Sequence, residues 1–265
     1  MYFAGIDIGS TTTKVVIIDE EAKIVTFKLI DTLADRRKSG KVVLEMALNE
    51  LQITIEDIAY CISTGYGRKA FMEADDNQPE IICHAVGTKA AYPKVLSIID
   101  IGGQDSKVIE LDTTGSIVHF EINDKCAAGT GRFFEVLTGR LLNISMDKLG
   151  ELILQAKNPC QISSMCTIFA ETEIISYLSS GCNKEDVAAG MSRSVVQRIS
   201  SIARVGQVQL KEPVVFTGGV ANNKGVRKTF EEILKKKVVT VDNPQSVAAY
   251  GAAVIAQKKY IKIQR

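Results

Sequence analysis

The sequence predicts an α/β protein built from two related domains, and three observations lead there. The stretch "DIGSTTTKVVIIDEEAKIVTF" from Asp7 aligns without a gap on "DIGGQDSKVIELDTTGSIVHF" from Asp100. A further glycine turn follows an apolar strand in "PVVFTGGVANNKGVRKTFEE". Near the C-terminus, "NPQSVAAYGAAVIAQKKY" reads as a small-residue helix after a proline turn.

The repeat comes first. Asp7 matches Asp100, Gly9 matches Gly102, Lys14 matches Lys107 and Phe27 matches Phe120, all at one offset. Each copy reads as strand, tight glycine turn, strand, acidic turn, strand. Duplication of a domain accounts for a constant offset better than chance likeness between two hairpins. The boundary falls near residue 95, giving domains 1–95 and 96–265, with the last helix able to pack back on the first domain.

Each copy ends an apolar strand in Asp and then turns through glycine. Such a turn brings backbone N–H groups close to phosphate oxygens. Ser10, Thr11, Thr12 and Thr13 add hydroxyls and Lys14 a charge, while Gly102 and Gly103 form the second turn. A carboxylate on each side, Asp7 and Asp100, suits a hydrated magnesium ion held against phosphates. Gln104 or Asp105 is placed to orient or deprotonate an attacking water. The third turn, Gly218, Gly219 and Val220, is flat enough to lie under a nucleoside beside Asn222. Asn222 or Asn223 caps the helix that follows. The alanine and glycine face of the C-terminal helix permits close packing between domains.

Composition sets the outer bounds. The chain has 265 residues, 46% hydrophobic and 24% charged, which suits a globular protein. A net charge of +1 gives no electrostatic case for nucleic acid or an anionic membrane. No apolar run reaches the roughly 20 residues that span a bilayer. The N-terminus "MYFAGIDIGS" reads as a strand and not as a signal peptide, so the expected location is the cytoplasm. There the six cysteines stay reduced, and the absence of a C-x-x-C pair argues against a zinc ribbon.

Two cysteines stand out. Cys126 in "NDKCAAGTGRFFE" and Cys166 in "SSMCTIFAETEIISYL" each precede a helical pattern. A helix N-terminus favours thiolate and stabilises bound anions. On the residues alone, either thiol reads as a buried small hydrophobe. Cys61, Cys83, Cys160 and Cys182 lack this context and read as structural, Cys160 being the strongest competing ligand.

Here a resemblance enters. "GIDIGSTTTK", "DIGGQD", "TGGVANN" and "AAYGAA" fall in the order of the phosphate, phosphate, adenosine and second connecting motifs of the actin–hexokinase–heat-shock ATPase superfamily. The two cysteine motifs resemble those of ATPase activators of 2-hydroxyacyl-CoA dehydratases and the related benzoyl-CoA reductase subunits. The resemblance implies two ribonuclease-H-like domains with the nucleotide in the interdomain cleft. It implies bound ATP and Mg2+, with Gly131 and Gln245 among the cofactor-binding positions. It also implies one 4Fe–4S cluster shared across a homodimer through Cys126 and Cys166. The expected activity is ATP-driven one-electron transfer, from ferredoxin or flavodoxin to a cluster-bearing dehydratase or reductase component. One stretch, "DTLADRRKSGKVVLEM", departs from the Gly/Thr/Ser-rich turn of close activators and leaves the partner open. The competing reading is a small-metabolite kinase of the same superfamily, similar to a type III pantothenate kinase, in which the cysteine motifs would have no role.

Overall fold

The computed structural model describes residues 1–265. It divides into two units, one of residues Met1–Lys94 with Gln245–Arg265 and one of Val95–Pro244.

In the first unit, β1 (Tyr2–Ile8), β2 (Thr12–Ile18) and β3 (Ile24–Asp31) form an antiparallel meander. After α1 (Arg36–Leu51), β4 (Ile58–Thr64) returns parallel to β1, and the short β5 (Asp76–Asn77) follows before α2 (Glu80–Ala91). The sheet order is β3-β2-β1-β4-β5. Both faces are covered, so the strands read as continuous apolar runs. Val15 and Ile17 pack towards Val43, Leu44 and Ala47 of α1. Their neighbours Val16 and Ile18 pack on the other face. Asp35 starts α1 by accepting from Lys38 N, a cap that satisfies one of the helix's orphan donors.

The second unit repeats this plan. β6 (Ser97–Ile101), β7 (Ser106–Leu111) and β8 (Ile117–Asn123) form the meander. Four helices follow: α3 (Gly131–Leu137), α4 (Met146–Gln155), α5 (Thr167–Ser179) and α6 (Lys184–Val205). β9 (Val214–Thr217) then pairs parallel to β6, and α7 (Lys224–Leu234) leads to β10 (Val238–Thr240). The order β10-β9-β6-β7-β8 is the first sheet's order read from the other edge. Phe133, Phe134, Phe216 and Phe230 are fully buried and form the bulk of its core with Val195, Val196 and Ile199 of α6.

The last helix, α8 (Val247–Ile263), belongs to the first unit. Its alanines 249, 252 and 253 fill the core beside Phe3, Val16 and Ile62. Close helix packing therefore occurs inside that unit, where α8 crosses α2 glycine on glycine. A Cβ on Gly87 would lie 2.0 Å from the Val247 carbonyl oxygen, and one on Gly251 would lie 1.9 Å from that of Cys83. Gly5 of β1 admits the same helix, since its Cβ would stand 2.0 Å from Ala249 O. No helix of the chain is long and apolar enough to cross a membrane.

Candidate functional site

In the first unit, the turn between β1 and β2 is closed by Gly9 N donating to Thr12 O at 3.1 Å. Asp7 pairs across β1 and β2 with Lys14, and across β1 and β4 with Thr64. Lys14 Nζ donates to Asp7 Oδ2 at 3.0 Å. The other oxygen, Asp7 Oδ1, is buried with no partner. A buried carboxylate oxygen left unpaired is costly, and a hydrated cation would satisfy it. Ser10, Thr11 and Thr12 are half-exposed at the turn. Thr13 is not in it. Its side chain is wholly buried and its hydroxyl meets that of Thr32 at 2.9 Å, while Thr32 Oγ1 donates to Gly9 O. The period-2 alternation of β2 turns position 13 inward, so Thr13 braces the turn from behind.

The second unit carries the matching arrangement. Asp100 pairs with Lys107 and with Thr217, as Asp7 does with Lys14 and Thr64. Lys107, only 2% exposed, donates to Asp100 Oδ2 at 3.3 Å and to Asp105 Oδ2 at 2.6 Å. Thr217 Oγ1 donates to Asp100 Oδ1 at 2.9 Å. Gly102 N closes the turn on Asp105 O at 3.0 Å. Gln104 is the exposed tip, whereas the Asp105 carboxylate is engaged by Lys107.

The duplication reaches further than the hairpins. Thr64-Gly65 ends β4 as Thr217-Gly218 ends β9, and both glycines have φ of +84°. A Cβ at Gly65 would stand 2.4 Å from Asp7 Oδ1, and one at Gly218 would stand 3.0 Å from Asp100 Oδ1. Each glycine thus clears the space beside its aspartate, in a backbone conformation that side chains resist. The sequence comparison missed this pair because unequal insertions, residues 32–57 and 124–213, separate it from the hairpins. Beyond Gly218, Gly219–Asn222 form one 3-10 turn, and Asn223 caps α7 through Val226 N. Asn222 is exposed, Val220 is buried in the core and Gln245 is half-exposed.

The two cysteine motifs differ from each other. Cys166 is the N-cap of α5 and its thiol makes no capping bond. Around it Met165, Ile168 and Phe169 are 75%, 69% and 61% exposed. Cys126 is not at a helix mouth. It lies in a loop whose exit is Thr130, the N-cap of α3. Asn123 Nδ2 holds that loop by donating to the carbonyls of Cys126 and Ala128, both at 3.0 Å. No sequence pattern singled out Asn123. Asn123→Ala strands two carbonyls beside a buried side chain and is expected to cost about 1–3 kcal/mol. Chemical denaturation of the purified protein measures it, and an unchanged midpoint would remove Asn123 from this role.

The first two residues of α3 tie the Cys126 loop to the phosphate-type turn. Gly131 N donates to Gly102 O and Arg132 N to Gly103 O, each at 2.8 Å. Gly131 therefore spends its N–H on the turn and has none to offer a phosphate. A Cβ there would lie 2.8 Å from Gly102 O.

Residues 4–256 match the model of the BadF/BadG/BcrA/BcrD ATPase family. The chain belongs to that family. It is 43% identical over 256 residues to the "Activator of lactoyl-CoA dehydratase" of Anaerotignum propionicum, covering 97% of each chain. It is 42% identical over 264 residues to the "(R)-2-hydroxyglutaryl-CoA dehydratase activating ATPase" of Acidaminococcus fermentans, covering 99% of each. Among solved structures, the Clostridium difficile activator of 2-hydroxyisocaproyl-CoA dehydratase with bound ADPNP superposes with a TM-score of 0.92 at 38% identity, covering 100% of this chain and 97% of that one. A Streptomyces griseus glucokinase of the ROK family, at a TM-score of 0.57 and 11% identity, shows the fold alone. The two-unit α/β architecture is thus that of the actin- and hexokinase-like ATPases, and the family is one of ATPases.

The donor set bears on an iron–sulfur cluster. No group of three or more metal-ligating side chains gathers within the chain. Cys61 and Cys83 are enclosed in the first unit's core, where burial raises both thiols, Cys83 to about 12. That opposes the thiolate a metal requires. Cys126 and Cys166 are half-exposed, in the same unit, on loops that open to the surface. Cys126 and Cys166 are therefore chemically suited to ligate such a cluster, and two thiols would be half of the four it needs.

Proposed function

We propose that this chain is an ATP-dependent reductive activator. In this reading two copies hold one 4Fe–4S cluster, each through Cys126 and Cys166, and ATP hydrolysis drives a low-potential electron to a cluster-bearing partner. Acyl-CoA dehydratase components of the type named for its relatives are the proposed partner class, and ferredoxin or flavodoxin the donor. When bound, the cluster supplies a one-electron carrier. The observation that carries the reading is the pair of hydrogen bonds from Gly131 and Arg132 to Gly102 and Gly103. They join a phosphate-type turn to a surface cysteine loop through backbone alone.

The chain's own residues divide the work as follows. Magnesium nucleotide is taken by the phosphate turns. Asp7 and Asp100 hold the hydrated metal ion, and the turn N–H groups with Ser10, Thr11 and Thr12 meet phosphate oxygens. Lys14 and Lys107 orient the two carboxylates and balance their buried charge. Lys107 also fixes Asp105, which leaves the exposed Gln104 as the group that orients the attacking water. Gly218, Gly219 and Asn222 line the nucleoside. Any shift of Gly102 and Gly103 on phosphate release passes to the start of α3, and so to the Cys126 loop. Nucleotide drives such a change only by binding one arrangement better than the other. The apolar surface at Met165, Ile168 and Phe169 is larger than a lone residue needs and suits burial in a twofold contact.

Iron and acid-labile sulfide analysis of anaerobically purified protein tests this reading. Four of each per two chains is expected, and an iron-free protein with full ATPase activity would overturn it. For the nucleotide half, Asp100→Asn is expected to slow magnesium-dependent ATP hydrolysis at least tenfold, about 1.4 kcal/mol in transition-state stabilisation. It weakens a metal ligand and removes the charge that pairs with buried Lys107. An unaltered steady-state rate would exclude Asp100 from the site.

A further inference from the structure

The segment that delivers Cys166 to α5 is strapped to α6. Lys157 N and Asn158 N donate to the Asp186 carboxylate at 2.9 and 2.7 Å, and Cys160 N donates to Asp186 O at 3.0 Å. Gly190 lets the strap lie flat on α6, since a Cβ there would come 2.4 Å from Cys160 O. The strap ends on Ser163, which bonds through its N–H, its carbonyl and its hydroxyl. Ser163 N donates to Glu173 Oε2 of α5 at 2.6 Å. Ser163 O accepts from Ser194 Oγ of α6 at 2.7 Å, and Ser163 Oγ accepts from Met165 N at 3.3 Å. Helical side chains lean towards the helix N-terminus, so Glu173 reaches back to a residue that precedes its own helix. Met165, the last residue of this chain of bonds, stands immediately before Cys166.

Apolar packing holds α5 only lightly. Ala170 and Ile174 are its buried residues. An open groove of ≈ 860 Å³ runs between α5 and α6, with Glu173, Ser176 and Tyr177 on one wall and Arg193 and Gln197 on the other. Helices in proteins draw most of their stability from a packed apolar face. Where that face is narrow, the polar ties at the helix start decide where it sits. The Cys166 thiol makes no capping bond, so its own side chain does not fix the backbone there. We infer that Glu173 is a positioning residue for Cys166. Its carboxylate accepts from Ser163 N while Ser194 holds Ser163 O, and together they fix the backbone that presents the thiol. Glu173 acts through the bond it accepts and not through its charge. The strap stands on its own contacts, and only its consequence for a cluster rests on the proposed function.

Hydrogen–deuterium exchange of the full chain, reduced and free of iron and nucleotide, tests the strap. Glu173→Ala is expected to speed exchange of the Ser163 and Met165 amides about tenfold or more, with the amides of β1 and β6 unchanged as the control for folding. Glu173→Gln keeps an acceptor oxygen and is expected to stay near the wild-type rate. Unchanged Ser163 exchange in Glu173→Ala, or equal acceleration in Glu173→Gln, would overturn the proposal. In the same iron-free protein, iodoacetamide is expected to alkylate Cys166 faster in Glu173→Ala than in wild type, with Cys126 as the internal reference. A Cys166 rate that stays fixed while the strap opens would overturn the link to that thiol. Because both readouts need neither iron nor ATP, their failure is distinct from failure of the cluster reading. With the cluster reading intact, Glu173→Ala is expected to release iron to a chelator about tenfold faster than wild type or Glu173→Gln. Equal release from all three would overturn the bearing of Glu173 on the cluster.

Discussion

Cys126→Ser or Cys166→Ser, each alone, is expected to yield protein without iron, because one substitution removes two of four ligands from the proposed dimer site. Cys61→Ser and Cys83→Ser are expected to keep the full complement. The contrast follows from burial. Cys61 and Cys83 are closed inside the first unit, where desolvation opposes the thiolate, while Cys126 and Cys166 sit half-exposed on loops of the second. Cys166→Ser also leaves the α5 cap sterically unchanged, so a folded, nucleotide-binding, colourless protein is expected. Iron content, visible absorption and nucleotide affinity of the four variants decide it together. A fully loaded Cys166→Ser protein would remove that residue from the ligand set and with it the symmetric dimer argument.

The other large effect is mechanical. Gly251→Ala is expected to destabilise the chain by about 3 kcal/mol or more, at the upper end of overpacking costs. The added Cβ would stand 1.9 Å from the Cys83 carbonyl, which is backbone and cannot rotate away. α8 would have to lift from α2, and Ala249, Ala252 and Ala253 would lose their contacts with Phe3, Val16 and Ile62. A thermal melt compares the variant with Ala253→Gly, which removes a methyl in the same core without a clash and is expected to cost less. If Gly251→Ala melts with the wild type, the two helices have room to part and the glycine crossing does not set their spacing.

The hairpin repeat was legible because both copies keep the same spacing, so residue types alone aligned Asp7 with Asp100 and Lys14 with Lys107. The structure gives Lys107 a partner on each side, Asp100 and Asp105, which the alignment could not show, since pairing depends on strand register. Thr13 looked like one of four equivalent hydroxyls. Only the alternation of β2 tells that it faces Thr32 inside the sheet. The resemblance puts Gly131 among the cofactor-binding positions, yet its N–H is taken by Gly102 O.

By itself the sequence determined the duplicated α/β plan, the Asp-Gly turns and the two cysteine motifs, because each is a local pattern carried by neighbouring residues. Only the tertiary structure decided that the repeat extends to Gly65 and Gly218, that α8 closes on α2 through Gly87 and Gly251, and that α3 hangs from the Gly102 turn. Those features join residues far apart in the chain through backbone approaches of a few ångströms. A backbone hydrogen bond or a missing Cβ leaves no mark on residue type beyond a glycine, and a glycine alone does not name its neighbour.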